Sequence, residues 1–278
     1  MNMSLIIRNF VMFLAMALLS ANTHAELIAS DGFEGSTWSG LWVDTTNVSL
    51  SSERAKDGEQ ASRWIYRAAA IDKDGWSEGR FDLGKAYEEV SIQFDIHIPS
   101  NYVHRDSEGP DNNKLFRLWN KTYNDEEKIG ASMYNEGTTG ESSVGSDYRK
   151  AAEKGMSSGK NSVGDFITMD DVGKWMKVVI YVKAATDSTP AQLKIYKNGK
   201  LHHKDTPPIN HVPGTQGYRY GYLLGWSASG FTEDTVFYID NLKFYDENII
   251  VGPGKTSIEC SHDPGPDDVK CPERDGAL

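Results

Sequence analysis

Seven polar and aromatic side chains on three strand-like stretches are spaced to do chemistry together. "VSIQFDIHI" carries Gln93, Asp95 and His97 at every second position, "KLFRLW" carries Arg117 and Trp119, and "IGASMY" carries Ser132 and Tyr134. Side chains of a strand alternate between its faces. In each stretch these groups therefore share one face, while Phe94 and Ile96, Phe116 and Leu118, and Ala131 and Met133 take the other. By the same count Leu115 falls on the face of Arg117. A guanidinium grips a carboxylate through two parallel N–H bonds. An imidazole or a phenol moves a proton, and an indole offers a flat apolar surface. If the three strands are neighbours, the groups converge on one sheet surface. The plainer alternative is a solvated outer face with ordinary cross-strand pairs.

A second set lies in "GYRYGYLLGWSASG", where Tyr218, Tyr220, Tyr222 and Trp226 alternate with Arg219, Gly221, Leu223 and Gly225. Tyrosines beside bare glycines suit a binding groove or a phenolic acid, and they equally suit structural aromatic packing. Other catalytic signatures are missing. There is no Gly-x-Ser-x-Gly, no zinc-spaced His/Cys set and no phosphate loop. No acidic pair stands out as a glycosidase dyad.

The elements that must position these residues are strands. "VSIQFDIHI", "KVVIYVKA", "AQLKIYKNGKLHHK", "GYRYGYLLGWS" and "TVFYIDNLKFY" follow one another with turn residues between them, and "KNGK" holds the Asn-Gly pair of a tight hairpin. Many short strands with regular turns predict an antiparallel sandwich or jelly roll. "SDYRKAAEKG" is the one short helix candidate, with Ser146 or Asp147 as its N-cap. Residues 135–165, rich in Gly, Ser and charge, read as a lid-like or mobile loop.

Residues 1–25 read as a cleavable signal peptide: Arg8, the apolar run "FVMFLAMALL", then small residues up to Ala25. The run is too short to span a bilayer, so a secreted or periplasmic protein is expected. The domain is expected over 26–246 and a Pro/Gly/Asp-rich tail over 247–278, with Cys260 and Cys271 paired in an oxidising compartment. The net charge of −11 argues against nucleic acid and an anionic membrane as partners. A monomer is expected.

The opening "DGFEGSTWSGLW" with "SSERAKDGEQASRW", the middle stretches above and the close "GFTEDTVFYIDNLKFYD" together resemble concanavalin A-like jelly rolls over about residues 27–246. The likeness is to secreted carbohydrate-binding sandwiches and, notably, to the polysaccharide lyases of that fold. The Arg-x-Glu-Leu-Arg, Gln-Ile-His and Tyr-Phe-Lys-Ala-Gly-x-Tyr strands of the alginate lyases are not intact here. The resemblance implies an all-β sandwich and a structural Ca²⁺ held by Glu34 and Asp240, with Asp31 and Asp57 as helpers. It also implies a polysaccharide or oligosaccharide partner. On a lyase reading, Arg117, with Gln93, holds a uronate carboxylate, His97 is the base, and Tyr134, Tyr220 or Tyr222 is the acid. The alternative is a lectin-like module that uses Trp119, Tyr134 and Trp226 without catalysis. A third reading is a structural surface protein that binds no sugar.

Overall fold

The computed structural model describes residues 25–70, 73–105, 113–123, 127–135, 139–150, 157–159, 165–208, 217–228, 230–251 and 255–256. Two antiparallel sheets stack face to face. The first is ordered β14 (Lys200–Asp205), β13 (Gln192–Lys197), β12 (Trp175–Lys183), β6 (Glu89–His97), β16 (Thr235–Tyr245), β4 (Ala61–Tyr66) and β3 (Val48–Ser51), with β1 (Leu27–Asp31) also paired to β16. The second is ordered β10 (Ser157–Gly159), β9 (Ser142–Arg149), β8 (Lys128–Asn135), β7 (Asn113–Trp119), β15 (Tyr218–Ser227), β5 (Gly75–Tyr87) and β2 (Trp42–Thr46), with β11 (Asp165–Ile167) also on β9. A short hairpin, β17 (Ile250–Val251) with β18 (Lys255–Thr256), stands apart. This is the all-β antiparallel sandwich that the strand pattern predicts, with the concanavalin A-like architecture that the resemblance implies.

The core is the interface between the sheets. Phe94 and Ile96 of β6, Val178 and Ile180 of β12 and Phe237 and Ile239 of β16 meet Phe116 and Leu118 of β7, Ala131 and Met133 of β8 and Phe81 of β5. Asn198 and Gly199 both take positive φ (48° and 77°), so "KNGK" closes the β13–β14 hairpin as its sequence demands.

Local expectations fail where pairing overrides them. Ser146 and Asp147 do not cap a helix: both lie inside β9, which pairs with β8 from Lys128↔Arg149 to Asn135↔Ser142. Helix propensity is a weak prior that sheet pairing outweighs. Within 135–165, where a lid-like loop was expected, the sheet thus gains β9, with β10 and the start of β11 paired to it. Past 246, Ile249 is buried against Val179 and Tyr196 on the outer face of the first sheet. Residues 1–24, Cys260 and Cys271 lie outside the described residues, and so do the signal-peptide and disulfide expectations. Among the described residues no helix is long and apolar enough to cross a membrane.

Candidate functional site

The three strands expected to be neighbours belong to two different sheets. β7 and β8 are adjacent, but β6 lies between β12 and β16 in the opposite sheet. Gln93, Asp95 and His97 therefore face outward on the far side of the molecule from Arg117, Trp119 and Tyr134. The chain crosses from one sheet to the other between β6 and β7, a step that strand alternation does not report. His97 is walled in there by Trp175 and Tyr238, with ring centroids 5.4 and 6.3 Å away. Its Nε2 donates to the Gly173 carbonyl at 3.0 Å. Burial, and then the Arg54 cation, hold its imidazole below the ordinary histidine value. His97 cannot serve as base beside Arg117, and Gln93 cannot help that arginine hold a carboxylate.

What gathers around Arg117 instead is one row across the second sheet. Cross-strand register places Asp44 beside Arg80, Arg80 beside Tyr222, Tyr222 beside Arg117, Arg117 beside Gly130 and Gly130 beside Asp147. A phenol thus sits between two guanidiniums. Gly130 is the gap in the row. A β-carbon there would stand 2.3 Å from the Phe116 carbonyl oxygen and 3.2 Å from Arg117 Nε. The bare glycine lets Arg117 reach over β8 to Asp147, where Nη2 meets Oδ2 at 2.9 Å.

Asp147 is the hub of a buried network. Lys114 Nζ lies 3.3 Å from its Oδ2, Ser132 donates to the same oxygen, and the Tyr134 hydroxyl donates to Oδ1 at 3.0 Å. Burial pushes the Asp147 carboxyl up. Lys114, Arg117 and the two hydroxyls outweigh it and hold the group below the usual aspartate range. Lys114 reaches this face through an irregularity between Lys114 and Phe116 in the β7–β8 pairing. The extra residue sends Leu115 into the core, against the simple alternation. A similar shift between Tyr218 and Tyr220 buries Tyr218, so it leaves the tyrosine row.

Beside the network opens a cleft of about 270 Å³ lined by Trp76, Glu78, Arg80, Lys114, Tyr123, Tyr222 and Trp226. Trp76 and Trp226 are directly opposite on β5 and β15, and Trp76 is 42% exposed. Lys114 Nζ lies 5.4 Å from the Trp226 ring centroid, and Lys128 Nζ lies 3.5 Å from that of Tyr123. Burial drives the Tyr222 phenol well above its ordinary value, with Arg117 pulling the other way. Burial also raises Glu78, although Arg80 Nε donates to its Oε1 at 2.5 Å.

The proposed site residues on the second sheet fall into three groups. Tyr222 and Trp226 line the cleft. Arg117 is 1% exposed and, with Tyr134, is engaged by Asp147 at its edge. Trp119 is 6% exposed, stacked by Tyr220 at 6.3 Å and flanked by Tyr123 and Tyr222, so its ring is covered by neighbouring aromatics. Asp147, Lys114, Glu78, Arg80 and Trp76 were not anticipated. The signal for three of them is legible in "GWSEGRF", where Trp76, Glu78 and Arg80 alternate with Ser77, Gly79 and Phe81.

Glu34 and Asp240 approach one loop from two sides. Asp240 Oδ2 accepts the amides of Lys56 and Asp57, and Glu34 accepts those of Glu59 and Gln60. Asp57 accepts from the Asn241 side chain, and Asp31 accepts from Phe33 N, Ser39 and Trp42. Ca²⁺ takes six to eight oxygen ligands. Among the described residues no group of three or more His, Cys, Asp or Glu side chains is gathered to hold a metal.

No protein-family model matches the sequence, and no curated protein matches it either. Solved structures do match. An endo-β-1,4-glucuronan lyase from the fungus Trichoderma reesei superposes with a TM-score of 0.53 at 15% identity, over 73% of this chain and 90% of that one. The alginate lyase Aly36B, as a mutant in complex with alginate trisaccharide, gives 0.51 at 13% identity, over 68% and 82%. The alginate lyase vAL-1 from Chlorella virus gives 0.50 at 11% identity, over 74% and 93%. The fold is that of jelly-roll polysaccharide lyases. At these identities the likeness establishes fold alone.

Proposed function

We propose that the protein is an exported lyase that cleaves a uronate-containing polysaccharide by β-elimination at the Trp76–Trp226 cleft. The observation that carries this reading is the composition of the cleft: two indoles to stack sugar rings, the cations Arg80 and Lys114, and a phenol. The reaction needs a positive group to neutralise the uronate carboxylate, which acidifies the C5 proton, and an acid for the leaving oxygen. Arg80 and Lys114 supply the charge, and Arg117 adds to the field from behind. Tyr222, kept neutral by burial, supplies the acid. Local cations thus offset the overall acidity of the chain. The three lyases of the same fold support the choice of reaction by analogy. Export rests on residues 1–25 of the sequence.

The test is to incubate purified protein with glucuronan, alginate and other uronate polymers while following absorbance of the unsaturated product. A rising signal on one polymer is expected. A second reading, a non-catalytic sugar-binding module, is favoured by the exposure of Trp76 next to Trp226. Silence on every polymer together with retardation in affinity gels would select it.

Calcium is a separate proposal. An ion between Glu34 and Asp240 needs their loop to present oxygens where it now presents amides. If the ion binds there, EDTA lowers the melting temperature and Ca²⁺ restores it, since a ligand of the native state stabilises that state. Glu34→Ala then removes the sensitivity. A melting temperature indifferent to EDTA removes the ion.

A further inference from the structure

The elimination needs a base, and the histidine chosen for it from sequence sits on the other sheet. We propose that Glu78 is the general base that takes the C5 proton, an assignment that rests on the lyase reading above. Among the described residues lining the cleft, Glu78 is the one carboxylate. The carboxylate of the adjoining network, Asp147, is engaged on both oxygens. Lys114 and Arg117 are ion-paired to Asp147, whose oxygens also accept from Ser132 and Tyr134.

Geometry brings Glu78 to the reacting groups. Gly225, at φ 125° on β15, lies where these groups crowd together. A β-carbon there would stand 3.1 Å from Tyr222 Cε2, 3.2 Å from Glu78 Oε2 and 3.5 Å from Lys114 Cβ. Carboxylate, phenol and lysine stem close in on one point beside the cleft, more tightly than a side chain at that position would permit, and this puts base and acid side by side. Arg80 orients the carboxylate from its own strand.

The step balances without a co-reactant. Glu78 takes the proton from C5, and the C–H electron pair becomes the C4–C5 double bond. The C4–O4 bond breaks, and O4 receives the Tyr222 phenolic proton. The proton on Glu78 then returns to the phenolate. The groups that face Glu78 set its titration. Burial raises it, Arg80 lowers it, Asp44 raises it and Arg117 lowers it, and it in turn raises Tyr222 and Tyr66. A raised value makes a carboxylate a stronger base.

The experiment uses the polymer that the wild type cleaves. Glu78→Gln, which keeps the shape of the side chain, is expected to lower kcat by a hundredfold or more and to leave retardation in affinity gels unchanged. Formate is expected to restore part of the turnover of Glu78→Ala. In the wild type, kcat/KM should rise with pH along a limb above the ordinary glutamate value of about 4.3. Activity of Glu78→Gln within tenfold of wild type, or no rescue by formate, overturns the assignment and leaves the lyase reading standing. A wild type silent on every uronate polymer removes the reading itself, and Glu78 with it.

Discussion

Asp147→Asn is expected to destabilise the protein by about 3–5 kcal/mol, the usual cost of removing one partner from a buried ion pair. The change keeps the shape of the side chain but strands two cations. Arg117 and Lys114 are nearly inaccessible, so water cannot replace the lost charge, and an uncompensated buried charge is expensive. Urea denaturation of the two proteins measures the difference. Arg117→Met combined with Asp147→Asn should cost less than the sum of the two single changes, because the second removes a charge that the first left unpaired. A loss under about 1 kcal/mol for Asp147→Asn would mean that the network adds little. The same hub has a pH signature. Asp147 is held below its unfolded value of about 3.9. Its contribution is therefore complete above that value and disappears as pH falls through the lower folded one. Asp147→Asn should flatten that acid limb of the stability curve.

That hub was the part of the site least legible in the sequence. Asp147 precedes "YRKAAEKG", whose composition suits a helix, and nothing local says that β8 will claim it as a partner. The apolar alternation of β6, β7 and β8 was legible, because burial of one face imposes a period of two. The pairing of β7 with β8 was expected, whereas β15 beside β7, which brings Tyr220 and Tyr222 to Arg117, was implied only by the lyase reading. His97 was read correctly as outward-facing and placed on the wrong sheet. Consecutive strands pair often but not always, and the crossover after β6 has no period to read. Lys114 and Tyr218 were missed or misplaced for a third reason. One irregularity in register flips the following side chain to the other face, and both residues sit beside one.

Tyr222→Phe is expected to abolish turnover while leaving fold and binding in place. The phenol lies between Arg80 and Arg117 in the row and faces the cleft. Phenylalanine keeps the ring that packs beside Trp119 at 6.0 Å and Tyr123 at 6.2 Å, so the melting curve should move little. What disappears is the one proton offered to the leaving oxygen. Positioned general acids are worth roughly a hundred- to ten-thousandfold, and kcat should fall by that factor with KM nearly unchanged, because stacking on Trp76 and Trp226 is untouched. Arg80→Met serves as contrast: it removes charge that holds the carboxylate in the ground state and more strongly as the C5 proton leaves, so KM should rise along with the fall in kcat. If Tyr222→Phe keeps more than about a tenth of the wild-type rate, the acid lies elsewhere. Tyr123 then takes its place, because it lines the same cleft and lies against the same ring.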